Sequence, residues 1–478
     1  MAEIRRIVRL SSSGTPSTVV DLADGTNYQS VRGSFNITPG QRKQTMADSQ
    51  RRYGGSRATG ETHDNGEIGW KMLVAGATAD LCLSNFDAAI GALELATMDL
   101  YLQWQPDGAT TSRYYELRGP AVWQPTYEWA QFLGAKSMYG DIRLPVAPLS
   151  RRATSTLSIA STTLPATIAL GSIVGTAPAL VDLQLNVTSA TPPIWALVGW
   201  TRRPTAPLAS SVAPFGVIQA ESGTPTSWVS TVDANYLGGS GLKITTAGAG
   251  TASVLIPIDP STLAPDDFST DEIAVEVWGR VELASTVVSP RVFLSLQPFA
   301  GLTFGAEQFA VEFGSAGKLL TLPNSGTRFR FVKLGTLNMS SDLSSPLKFN
   351  LKVGASWAVG STGQFGLDYI VCVPSRARAL SPSSEPNDST YPKFIAATSA
   401  TVKLIRYDLS GRVASGGGAW GRDSGLGGSL LQMPPGDVDL VLKLSSLVAD
   451  DPTLDATTEV ISYPSVAGSV RVVPRDYL

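Results

Sequence analysis

The stretch Phe365-Gly-Leu-Asp-Tyr-Ile-Val-Cys-Val-Pro374 constrains this chain more than any other. Phe365, Leu367, Tyr369, Val371 and Val373 fall on one face of a period-two pattern, and Gly366, Asp368, Ile370 and Cys372 on the other. Its aromatic and β-branched residues favour a strand, and Pro374 ends it. Many short strand-like runs separated by Gly, Pro, Ser and Thr precede it. A Ser-Pro-rich linker follows, and then a new small β-rich unit. The stretch reads as the last strand of a β-sandwich set into the chain between two flanking pieces.

The 478 residues are enough for about two or three domains with their own cores. Lys and Arg number 37 against 40 Asp and Glu, a net charge of −3 that gives no reason to expect nucleic-acid binding. Only 16% of residues are charged, which suits many short strands and turns rather than long charged helices. Cys82 and Cys372 each lie in an apolar run and read as buried thiols rather than a bridge. Neither a CxxC nor a Cys/His cluster occurs, which argues against structural zinc. No run approaches ~18 apolar residues, so no membrane span is expected. Met-Ala-Glu-Ile-Arg-Arg lacks the apolar centre of a signal peptide, so assembly in a cytoplasm is expected.

Residues 1–150 read as a β-rich α+β unit. One helix, Thr78–Leu95, has Leu81, Phe86, Ala89, Ile90, Leu93 and Leu95 at three-to-four spacing. A hairpin turns at Pro106-Asp-Gly108. Residues 41–63 differ from their neighbours: a polar arm or loop carrying Arg42, Lys43, Arg51, Arg52 and Arg57, with little to bury. Residues 151–378 read as the jelly-roll-like sandwich, with 150–204 grouped with it because only a short turn separates the two. Residues 390–478 resume a strand pattern, strongest in Leu430–Leu444 around a Pro-Pro-Gly turn.

The search for chemistry finds no constellation. His63 is the single histidine and, beside Asp64, reads as a solvated loop residue without a nucleophile. The Gly-rich run 416–428 lacks the GxxxxGK[ST] pattern of a phosphate cradle. Glu221, Asp233, Asp266, Asp267, Asp271, Glu272, Glu276 and Asp368 supply carboxylates, but no spacing singles out an acid and a nucleophile of a glycosidase. The expectation is a chain that is not an enzyme and needs no cofactor. Trp228 and Tyr236 lie in a Ser/Thr/Asn-rich region and are the candidate glycan contacts, plain packing being the alternative. The basic arm is the candidate subunit contact.

Two parts of the chain resemble known families. Phe215-Gly-Val-Ile-Gln-Ala-Glu-Ser222, together with the close Leu367-Asp-Tyr-Ile-Val-Cys-Val-Pro374, resembles jelly-roll carbohydrate-binding modules. That resemblance implies calcium held by acidic turn residues, at positions the sequence does not single out. Residues 1–150 and 390–478, with Leu431-Gln-Met-Pro-Pro-Gly436 before an alternating strand, resemble distal tail (tail-tip ring) proteins of long-tailed bacteriophages. The implied fold is mainly β: a β-rich α+β ring-type domain split in sequence around an inserted jelly-roll-like sandwich. The implied role is a virion structural protein that forms a hexameric or trimeric ring. Its partners would be the tail tube, the tail hub or tape measure, and a host surface glycan. The competing expectation is a carbohydrate-binding or receptor-binding protein acting mainly through the sandwich.

Overall fold

The computed structural model describes residues 3–11, 14–31, 33–48, 56–94, 100–125, 136–188, 195–202, 216–258, 272–298, 309–310, 318–319, 328–340, 349–374, 401–405, 432–445 and 465–478. The fold is mainly β, and the strand pairings among these residues are antiparallel. The chain opens with β1 (Ile4–Leu10), β2 (Pro16–Asp21), β3 (Tyr28–Ser30) and β4 (Asn36–Thr38). A hairpin of β5 (Arg42–Asp48) and β6 (Ser56–His63) leads to β7 (Gly66–Ala75) and helix α1 (Ala79–Glu94). Then come β8 (Leu100–Gln105), β9 (Arg113–Leu117), β10 (Val122–Pro125) and the long β11 (Ser137–Arg151).

The helix starts where its cap chemistry dictates. Thr78 Oγ1 accepts the Leu81 N–H at 3.1 Å, and the Thr78 carbonyl accepts that of Cys82 at 3.0 Å. Cys82, Ala89 and Leu93 are buried against β7 and its neighbours, with Phe86 partly buried beside them. Leu81, expected on the buried face, is 44% exposed; Cys82, one position on, takes that place.

Next are β12 (Ser155–Thr163), β13 (Ala166–Ile173), β14 (Ala177–Thr188) and β15 (Trp195–Arg202). The sandwich holds β16 (Val217–Gln219), β17 (Thr224–Thr226), β18 (Val229–Val232), β19 (Ser240–Ala247), β20 (Gly250–Ile258) and β21 (Glu272–Leu283). It continues with β22 (Arg291–Pro298), β23 (Phe309–Ala310), β24 (Lys318–Leu319), β25 (Arg328–Ser340), β26 (Phe349–Trp357) and β27 (Thr362–Pro374). The chain closes with β28 (Thr401–Ile405), β29 (Gln432–Met433), β30 (Gly436–Ser445) and β31 (Ser465–Tyr477).

Pairing corrects the expected start of the sandwich. β12 and β14 pair with β31, and β13 and β15 flank β30. Residues 155–202 therefore complete sheets with the C-terminal strands, whereas the sandwich strands run from Val217 to Pro374. A short turn in sequence did not mean a shared sheet. The apolar alternation of β14 is equally satisfied by β31, which also joins β11 at Leu149–Arg151.

The sandwich consists of two six-stranded sheets: β18-β19-β27-β21-β25 with β16, and β17-β20-β26-β22-β23 with β24. Between them lies a core that includes Leu242, Val254, Ile256, Val281, Leu294, Val353, Phe365, Leu367, Ile370 and Cys372. Phe365 and Leu367 thus share the core with Ile370 and Cys372, while Tyr369, Val371 and Val373 point out of the opposite face. The strict alternation expected for 365–373 is broken by a bulge. Gly279 pairs Ile370 and Val281 pairs Leu367, so Arg280 alone faces Asp368 and Tyr369. Cys82 and Cys372 are both unbridged and buried, in different cores.

Candidate interaction surfaces

The polar arm is a hairpin. β5 and β6 form a two-stranded sheet of their own, with Arg42 opposite His63, Lys43 opposite Thr62 and Ala47 opposite Arg57. Its base is closed by the Asp64 N–H donating to the Gln41 carbonyl at 2.9 Å. Gly40 is glycine because a Cβ there would overlap the Asp64 carbonyl. His63, expected in a loop, ends β6. Arg51 and Arg52 lie outside the described residues.

The two expected glycan contacts are core residues. Trp228 is 4% exposed and meets the edge of Phe365 at 6.5 Å between centroids. Tyr236 is 1% exposed, and its hydroxyl donates to Glu282. The Ser/Thr/Asn-rich context of both suggested loops, but the apolar bulk of each ring is folded inward, where no sugar reaches.

Tyr236 belongs to a charged network on the outward face of the β19-β27-β21 sheet. Lys243 Nζ lies 2.6 Å from Asp233 and 3.0 Å from Glu282, and 4.8 Å from the Tyr236 ring centroid. Arg280 Nη1 donates to Asp368 Oδ2 at 2.5 Å and to the Asn235 carbonyl at 2.8 Å, with its guanidinium 4.1 Å above the Phe329 ring. Asp368 Oδ1 accepts the Leu237 N–H at 2.8 Å, which pins the 233–239 turn over the sheet. Gly366 makes room for the Tyr236 hydroxyl. Burial, then the bond to Glu282, pushes the Tyr236 phenol far above its ordinary value. Burial works against the Lys243 ammonium, but its bonds to Asp233 and Glu282 outweigh it and raise its pKa. The Lys243 bond holds Asp233 below the usual carboxylate range.

These contacts account for several carboxylates considered for catalysis. Asp368 and Asp233 are ion-paired, Glu276 accepts the Trp278 indole N–H at 3.2 Å, and Glu221 accepts the Ser240 hydroxyl at 2.6 Å. Asp266, Asp267 and Asp271 lie outside the described residues. Among the described residues, no group of three or more His, Cys, Asp and Glu side chains is placed to hold a metal ion. No helix is long and apolar enough to cross a membrane among them.

Further along the same face an aromatic patch is covered by the chain's own C-terminal part. Trp278 and Phe331 stack at 5.5 Å and 10°, with Tyr369 at 6.0 Å from Phe331. Val441 of β30 packs into this patch. Lys443, 2% exposed, sets Nζ 4.4 Å above the Phe331 ring and 5.8 Å from that of Tyr369. On β13, Thr167 Oγ1 accepts the Val217 N–H at 2.9 Å, and Gly216 leaves space for that hydroxyl. Lys443 and Val441 lie on the face of β30 opposite Leu440 and Leu442, and that face docks the sandwich. The signal available in the sequence was Val441 on that otherwise polar face.

The C-terminal strand is fixed at its end by charge. Asp476 receives both Nε and Nη2 of Arg152, at 2.7 and 2.8 Å, and lies 3.5 Å from Arg113. Burial opposes the Asp476 carboxylate, but Arg152 and Arg113 outweigh it and lower its pKa. Burial also brings the neighbouring Arg475 down to about 10.

No protein-family model matches this chain. No curated protein matches it either. Among solved structures, the Dit protein of phage SPP1, described as a hub adsorption apparatus protein of phages infecting Gram-positive hosts, is similar at 11% identity and a TM-score of 0.24. The match covers 78% of this chain and 99% of that one. A chain of the phage P2 baseplate is similar at 9% identity and TM-score 0.22, covering 78% and 99%. A xylan-binding module is similar at 12% identity and TM-score 0.18, covering 41% and 97%. The likeness to phage hub and baseplate proteins and to carbohydrate-binding modules is one of fold level only, and at these TM-scores it carries no argument about role.

Proposed function

We propose that this chain is a non-enzymatic structural component of a bacteriophage tail that assembles with copies of itself into a ring. In this reading it contacts tube, hub or tape-measure proteins and projects the sandwich toward host surface glycans. The observation that carries the self-assembly is the β5–β6 hairpin. Among the described residues it joins no other sheet, and a lone two-stranded hairpin is only marginally stable in water. Strand edges left unpaired among the described residues suit pairing with a neighbouring subunit, and the sequence puts Arg42, Lys43 and Arg57 on this hairpin. The tail setting rests on the sequence resemblance of residues 1–150 and 390–478.

Quantitative mass spectrometry of purified virions tests this setting. The expected result is this chain in tails at a fixed multiple of the tail-tip proteins, lost when residues 42–63 are replaced by a short linker. Virions that lack the chain and remain infectious would contradict it.

A further inference from the structure

Two patches on opposite faces of the large sheet carry complementary chemistry. The register across β8, β9, β11 and β31 sets Gln103 beside Tyr114, Tyr114 beside Arg151 and Arg151 beside Arg475. This row shares the face that holds Val8 and Tyr101, with the Arg151 guanidinium 5.1 Å from the Tyr101 ring. The other face holds Ile7, Leu102 and Tyr115 and is packed against α1 through Cys82, Ala89 and Leu93.

Arg475 lies directly opposite Arg151, where like charges repel. Arg151 has Glu116 at 3.3 Å. Among the described residues the Arg475 guanidinium bonds only the Pro178 carbonyl, through Nε at 2.5 Å, and no carboxylate. Its strand end is held in place. The Thr176 N–H donates to the Arg475 carbonyl at 3.0 Å, and Gly175, at φ +127°, leaves no room for a Cβ against that carbonyl. Tyr477, on the same face by alternation, and Val174, in the turn beside it, are both exposed. Leu478 packs against Gly66, just past the β5–β6 hairpin, so this patch is continuous with the base of the arm.

On α1, Asp80, Leu83, Ser84 and Asp87 are all exposed and form one stripe at i, i+3, i+4 and i+7. The helix contains no Lys or Arg, and neither aspartate has an ion pair among the described residues. Asp80, in the first turn, is favoured by the helix N-terminus, whereas Asp87 lies beyond its reach.

We infer that Arg475 of one copy pairs with Asp87 of the next copy in the ring, with Leu83 covering Tyr477 and Val174. With Nε held by Pro178, Nη1 and Nη2 remain for the carboxylate. Leu83 and Asp87 are one helical turn apart, so the acid arrives with an apolar side chain, matching the cation and apolar pair it meets. A head-to-tail contact joins two different patches, and patches on opposite faces of a sheet give each copy a neighbour on either side. A neighbour that grips the arm also covers the arm's base, where Arg475 lies. The inference rests on the assembly reading and adds to it a second contact with a named charge pair.

The test is light scattering across a concentration series on full chains carrying Arg475→Glu, Asp87→Arg, or both. Each single change should raise the concentration for half-assembly about tenfold, and the double change should bring it back close to the parent value. Arg475→Glu sets an acid opposite Arg151 and Asp87→Arg is exposed, so neither should lower the melting temperature of the unassembled chain. Single variants that assemble like the parent, or a double variant as weak as the two singles combined, would overturn the inference. So would single variants that keep the ring mass and lose binding to other tail proteins. A parent chain that never forms a ring removes the assembly reading and this inference with it. Rings that need the hairpin and ignore both single changes overturn this inference alone.

Discussion

Arg280 and Asp368 form an ion pair at 2.5 Å across a β-bulge, with their side chains 2% and 0% exposed. The bulge leaves both Asp368 and Tyr369 on the outward face, where Asp368 accepts both the guanidinium and the Leu237 N–H. Removing one partner leaves the other charge buried. Asp368→Asn is therefore expected to destabilise the sandwich by about 3–5 kcal/mol, measured by urea denaturation. Replacing both members, as Arg280→Met with Asp368→Leu, should recover most of that loss.

Lys443 carries contact energy between β30 and the sandwich through Phe331 and Tyr369. Lys443→Ala should cost about 1–2 kcal/mol, the cation–π contact and the packed stem together. Hydrogen exchange locates the effect. Faster exchange is expected at Tyr369–Val373 and at Val441, with β20 and β26 unchanged.

The Asp476 cluster gives an acid dependence. Its folded-state pKa is depressed, so its contribution is present above the unfolded value of 3.8 and is lost as pH falls through the lower folded value. Asp476→Asn should lower the melting temperature at neutral pH. Its difference from the parent chain should shrink below about pH 4.

Tyr236 gives the opposite, alkaline dependence. Its folded-state pKa is raised, so its contribution is whole below the unfolded value of 10.0 and declines as pH rises above it. Tyr236→Phe should cost about 1–2 kcal/mol at neutral pH, with the gap to the parent chain narrowing above about pH 10.

The mainly β class, the helix and most sandwich strands were legible because they rest on local periodicity and turn residues. The hairpin at 106–108 is a case: Gly108 adopts φ +79°, as its place in the turn requires. What was not legible depends on which strands meet. The bulge at Asp368 leaves every residue type in place yet moves Tyr369, Val371 and Val373 to the other face. The pairing of 155–202 with the C-terminal strands is a long-range choice that alternation does not encode. Trp228 and Tyr236 were misplaced because polar neighbours say where the backbone runs and not where a ring points.

Self-assembly through the β5–β6 hairpin is most directly tested by light scattering across a concentration series, alone and with tail proteins. The expected result is a closed ring mass, a small integer multiple of the 50.3 kDa chain, reduced to the single-chain mass when residues 42–63 are replaced by a short linker. A chain that stays monomeric at every concentration and with each partner, or a ring that forms equally well without the hairpin, would contradict it.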